Sequence, residues 1–504
     1  MAMYRFRLLV ALLCSLLLIS LPVGAQDASV PAYQPTPCPF EQPPDFTLEC
    51  GTLTVPEDHF DAANSSTLSL FTVIWKAQSD TPRPDPIVMI NGGPGFSSTG
   101  FPPVMMGFAP LMTERDVIFF DMRGAGHSQP TLACPLYAEF VREALGADWS
   151  VDDFNARRNT LLENCLRESG VNLEVYDRAQ IAADIEALRV ALGIEQINLM
   201  GFSYGNFVAQ QALSDFGAQG HIRAVVMDSP PASQGEFAPG LGLQRALDAV
   251  FAACAADAAC SSAYPDLPAV LASVVQQLDA EPVMLDAPDY LRGSPVPLRL
   301  DGDFFVSILM AQVTDVNRAG DIPKLIYAFK DGAYDLAPLV AADQIFITDM
   351  MWTIGEHMAA RCRENILVGQ ASEDPVLAGF INRSLFIDAL QPVCAAAEIP
   401  AAEPDRFTPV SSDVPTLIGI GALDPYALAR PALPTAADLA GEFAAPLPNS
   451  TIMVVPGAGH TVSFATHNGM CVQNVMLAFF NDPSAAPDMS CLDAPEMAFQ
   501  FAIE

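Results

Sequence analysis

A short strand that runs straight into a glycine-flanked serine constrains this chain more than any other feature. Ile197 to Met200 reads as a buried strand and Asn206 to Leu213 as the helix that follows. Between them lies Gly201-Phe-Ser203-Tyr-Gly205. A serine squeezed between strand and helix must take a strained turn. Glycines two residues to either side are needed because a side chain there would strike the neighbouring strand or helix. The helix beyond Ser203 also aims its positive end at any negative oxygen formed there. Ser203 is therefore a candidate nucleophile.

A serine hydroxyl attacks only when a base removes its proton, and the base must be held in one tautomer by a carboxylate. The histidines are His59, His127, His221, His357, His460 and His467. Only His460 lies in a glycine-flanked loop directly after a strong late strand, Thr451 to Val455. Asp424 ends the strand before it, Pro415 to Ile420, in a turn that can project a carboxylate. Ser203, Asp424 and His460 follow a known chain order for such a triad. His467 is the reserve base, and His127 reads as a loop residue. Upstream, the strand Pro86 to Ile90 enters Asn91-Gly92-Gly93-Pro94-Gly95, whose backbone can approach a substrate closely. The amide of Tyr204 and one from Gly92 or Gly93 are the expected oxyanion donors.

The 504 residues are 51% hydrophobic, enough for a large core. Residues 1–25 read as a signal peptide: Arg5 and Arg7, an apolar run from Leu8 to Leu21, then Val23-Gly-Ala25. An uncleaved anchor is the alternative, and no later run is long enough to span a membrane. The net charge of −35 argues against nucleic-acid or anionic-membrane partners. Of eleven cysteines, Cys14 falls in the leader. An even number remains, as expected in an oxidising compartment, secreted or periplasmic. Neighbours along the chain are expected to pair: Cys38 with Cys50, Cys134 with Cys165, Cys254 with Cys260, Cys362 with Cys394, Cys471 with Cys491. No spacing suggests a metal, and no cofactor is expected. Strand and helix alternate over 26–231 and again over 409–504. A mostly helical stretch, 232–408, reads as a lid inserted between the strand ending near 228 and the strand starting near 415.

With these motifs in order, the chain resembles the secreted α/β-hydrolases related to tripeptidyl aminopeptidase and proline iminopeptidase. Asn91 to Gly95 is similar to their oxyanion loop. Asp121-Met-Arg-Gly-Ala-Gly-His-Ser128 is similar to their D-x-R-G-x-G-x-S segment, and the elbow at Ser203 and the loop at His460 to theirs. The resemblance implies an α/β-hydrolase core, a mostly parallel doubly wound sheet, with residues removed from peptide N-termini through an acyl-enzyme. The alternatives are a carboxylesterase or amidase on small acyl substrates and, in another class, a non-catalytic binding protein on this fold. An exopeptidase must recognise an N-terminal ammonium, which calls for a shielded carboxylate. Glu364, beside Cys362, is the expected acceptor and Glu356 the runner-up. The plainer reading has Glu364 paired with Arg361 or Arg363, or facing water.

Overall fold

The structure is a computed structural model that describes residues 30–100, 106–232, 237–365, 391–409, 411–465 and 470–503, apart from 495–496 and 498–499. The expected signal peptide and His467 lie outside the described residues.

Nine strands form one sheet in the order β1-β2-β3-β5-β4-β6-β7-β10-β11. They are β1 (Ala32–Pro35), β2 (Leu48–Pro56), β3 (Thr67–Trp75), β4 (Ile87–Ile90), β5 (Val117–Phe120), β6 (Ile197–Phe202), β7 (Ile222–Asp228), β10 (Thr416–Gly421) and β11 (Ser450–Val455). The first three pair antiparallel, and β3 joins β5 antiparallel. From β5 through β4, β6, β7 and β10 to β11 every pairing is parallel. The parallel strands β4, β5, β6 and β10 are buried at every position, which is why they read as unbroken apolar runs rather than alternating ones. Helices Arg178–Ala191, Gly205–Phe216 and Ala436–Ala444 cover one face. Helix Cys471–Asn481 covers the other. Helices on both faces of a mostly parallel sheet define the α/β-hydrolase fold expected.

Three features depart from the sequence reading. The Pro-rich stretch before Asp45 contributes β1, a strand at the sheet edge, where a proline N–H is not missed. The inserted segment holds a hairpin, β8 (Val283–Ala287) with β9 (Val296–Leu300), among its helices. Helices Pro135–Gly146 and Val151–Glu168, placed with the core by sequence order, pack their buried faces into the same apolar cluster as the insertion. Tyr137 and Phe140 of the first meet Trp352 and Phe154. The structure joins Cys38–Cys50, Cys134–Cys165, Cys254–Cys260, Cys362–Cys394 and Cys471–Cys491. No described helix is long and apolar enough to cross a membrane.

Candidate active site

Ser203 sits between β6 and helix Gly205–Phe216 with φ of 50°, the left-handed region that an L side chain avoids. The flanking glycines are sterically required. A Cβ on Gly205 would lie 2.2 Å from the Ile90 carbonyl oxygen, and one on Gly201 2.8 Å from that of Gly205. The strain is held by hydrogen bonds: the Ser203 N–H donates to the Asp228 carbonyl at 3.0 Å, and Asn206 Nδ2 donates to the Ser203 carbonyl at 3.0 Å.

Asp424 lies just past β10, and His460 in the loop after β11. These strands are parallel neighbours, so their C-terminal ends lie side by side. His460 Nδ1 and Asp424 Oδ2 are 2.7 Å apart. The other Asp424 oxygen accepts the N–H of Tyr426 at 2.9 Å and of Ala427 at 3.3 Å, so the carboxylate cannot swing. Asp424 is fully buried. The Tyr426 ring packs edge-on against His460, centroids 4.7 Å apart. Burial works against a charge on His460, but Asp424 and then Asp228 outweigh it and hold its pKa above the ordinary imidazole value. The histidine loop is also backed by the insertion: the His460 N–H donates to the Thr314 carbonyl at 2.8 Å.

Ser203, His460, Gly92, Gly93 and Tyr204 line one cavity of about 1050 Å³. Of the two glycines, Gly92 already donates its N–H to its neighbour Asn91 Oδ1 at 2.8 Å. A Cβ there would press on Ser203 Cβ at 2.9 Å, so its glycine identity serves close approach. The Gly93 and Tyr204 N–H groups donate to no described residue. The tail of this loop is pinned by Asp121, which accepts from Ser97 Oγ, the Ser98 and Thr99 N–H groups and the Thr99 hydroxyl at 2.6–3.0 Å. Arg123 is fully buried against Asp184 and gives its remaining donors to the Glu57 and Val175 carbonyls. His127 caps the same loop from a half-exposed position, away from the cavity.

Glu356 and Glu364, in and just past helix Ile354–Arg363, are placed elsewhere than expected. Glu364 does not line the cavity. Its oxygens accept the Tyr204 hydroxyl at 2.5 Å, the Arg178 N–H at 2.7 Å and Arg178 Nε at 2.7 Å. Arg178, rather than Arg361 or Arg363, is therefore its cation, and nothing is left over for a substrate ammonium. Glu356 also lies off the cavity, behind the oxyanion loop, with both oxygens unpartnered among the described residues. Burial, reinforced by Glu364, pushes its pKa well above the usual carboxylate range. The same helix does put His357 and Arg361 on the cavity wall. Burial, then Arg361, holds the His357 pKa well below the ordinary value, so the ring is neutral and donates from Nδ1 to the Pro94 carbonyl at 3.1 Å. Among lid carboxylates, Asp343 faces the cavity with no hydrogen-bond partner among the described residues. Burial raises its pKa while Arg318 lowers it. The sequence carried no signal for Arg178, Asp228 or Asp343, because each acts through partners distant along the chain.

Residues 85–263 match the family described as alpha/beta hydrolase fold. The chain is 29% identical over 191 residues to a tripeptidyl aminopeptidase of Streptomyces lividans, covering 36% of this chain and 35% of that protein. It is 29% identical over 247 residues to serine protease Hip1 of Mycobacterium tuberculosis, covering 45% of each. The matched segments thus span less than half the length of these relatives. Among solved structures, proline iminopeptidase of Mycobacterium smegmatis aligns at 14% identity with a TM-score of 0.38, covering 86% of this chain and 98% of that one. The chain is an α/β-hydrolase-fold protein similar, over less than half its length, to tripeptidyl aminopeptidase and serine protease Hip1.

Proposed function

We propose that this protein is an exported serine hydrolase that removes residues or short peptides from peptide N-termini. The observation that carries the reading is the 2.7 Å contact between His460 and Asp424 on a cavity shared with a left-handed Ser203. Ser203 attacks the carbonyl while His460 takes its proton and returns it to the leaving amine. Asp424 holds the imidazole tautomer, with Nδ1–H facing the carboxylate. The Tyr204 and Gly93 amides receive the oxyanion. Water then releases the acyl group. For the N-terminal ammonium, Asp343 replaces Glu364 as the acceptor to test, since its carboxylate lines the cavity and accepts no hydrogen bond among the described residues.

Ser203→Ala should lose turnover by a factor on the order of 10⁴ or more while keeping its melting temperature. A fluorophosphonate probe should label the wild type and not the variant. Substrate class is read from aminoacyl and tripeptidyl chromogens, each free and N-acetylated, beside acyl esters. Preference for the free amine supports the peptidase. Equal turnover of blocked and free forms, with faster esters, selects the carboxylesterase instead.

A further inference from the structure

Asp228 ends β7 and is fully buried behind the active site. Its carbonyl accepts the Ser203 N–H at 3.0 Å and Asn206 Nδ2 at 2.7 Å, so the strained serine turn hangs from it. Its carboxylate faces the other way. Oδ1 accepts the Ser229 hydroxyl and the Val462 N–H, both at 2.8 Å, and Oδ2 accepts the Ser463 N–H at 3.0 Å. The Ser229 hydroxyl in turn accepts the Thr461 N–H at 2.8 Å. These three N–H groups directly follow His460. Ser229 and Thr461 both have left-handed φ, 53° and 63°, conformations that persist only where the surroundings impose them. Ser229, the residue after β7, is thus a tether to the histidine loop.

We propose that Asp228 is a positioning residue that ties the serine turn to the histidine loop, so that one side chain and its own carbonyl set the gap the proton crosses. The proposal rests on the serine-hydrolase reading above. It gives Asp228 a role distinct from that of Asp424, which touches His460 directly. Among the described residues every hydrogen bond to the Asp228 carboxylate comes from a donor, which suits the anion. Burial pushes its pKa up, against the pull of Ser463, Ser229 and His460. The groups facing His460 are Asp424, Asp228 and the Tyr426 ring. Removing the Asp228 charge therefore lowers the His460 pKa, and the neutral, active imidazole persists to lower pH.

The test is Asp228→Asn in the full chain, which keeps the carbonyl and the shape but turns an amide NH2 toward a loop N–H. Acylation is followed as p-nitrophenol release from a p-nitrophenyl ester, per site counted by fluorophosphonate labelling taken to completion. Acylation should fall on the order of 10- to 100-fold, as for a misplaced catalytic pair. The acidic limb of the pH profile should move about one unit lower. A wild-type rate, or a slow rate with an unmoved limb, overturns the proposal. If Asp228→Asn does not yield folded protein, Ser229→Ala tests the tether alone. It should lower kcat several-fold at constant KM, and an unchanged kcat overturns the proposal. Failure of the wild type to label would sink the serine-hydrolase reading itself, an outcome separate from either variant.

Discussion

Asp424 and Glu364 are both buried acids with one principal partner each, yet they belong to different kinds of structure. Asp424 stands at the tip of a parallel strand, and its partner His460 stands at the tip of the next strand. Glu364 ends helix Ile354–Arg363, and its partners Arg178 and Tyr204 belong to the core, 186 and 160 residues away. In the proposed function the first pair moves a proton. The second joins helix Ile354–Arg363 to the base of the serine turn, with the Arg178 guanidinium over the Phe207 and Phe407 rings at 4.7 and 4.8 Å. Asp424 keeps one oxygen on His460, which lines the cavity, and the other on backbone N–H groups. Glu364 lies off the cavity, with its oxygens taken by Arg178 and the Tyr204 hydroxyl.

That contrast should appear as activity loss without instability on one side and instability on the other. Asp424→Asn offers the wrong hydrogen-bonding face to His460 and should cost a factor on the order of 10⁴ in kcat with little change in melting temperature. A loss near tenfold would mean that Asp228 or water serves in its place. Glu364→Gln leaves the Arg178 charge buried without its counter-charge and should cost about 3–5 kcal/mol in urea unfolding. A full-strength fold with lost selectivity for free amines would return Glu364 to the substrate. The Cys362–Cys394 bridge, 32 residues apart, fastens the same helix. Replacing both cysteines by alanine should cost about 2–4 kcal/mol.

The smallest effect belongs to Glu356, and its sign depends on pH. Its folded pKa lies well above the ordinary carboxylate value of 4.5, so the unfolded chain ionises first as pH rises. Below that value the group is neutral in both states and costs nothing. Above it the native state is increasingly penalised, until the pH reaches the folded pKa. Glu356→Gln removes that penalty. The melting temperature of the variant relative to wild type should therefore climb from pH 4.5 upward, and a flat difference would refute a buried acid held above its ordinary pKa.

Residues near each other in sequence carried most of what could be read early. The strand before Ser203, the glycines around it and the loops after β4, β10 and β11 are local features. Their chemistry depends on backbone geometry that a few residues determine. Helices Pro135–Gly146 and Val151–Glu168 were misplaced for the opposite reason. Their amphipathic faces require burial but do not say against what, and the partner turned out to be the insertion.

By itself, the sequence determined the parallel sheet, the strained serine and the order in which its partners arrive. Each follows from apolar runs, glycines and turns read over ten residues or fewer. Only the tertiary structure decided what the other buried carboxylates face. Glu364 was drawn to Arg178, Glu356 was left without a hydrogen-bond partner among the described residues, and Asp228 was set between the serine turn and the histidine loop. The physical reason is that the fate of a buried charge is set by the nearest donors in space, and those donors come from segments far apart along the chain.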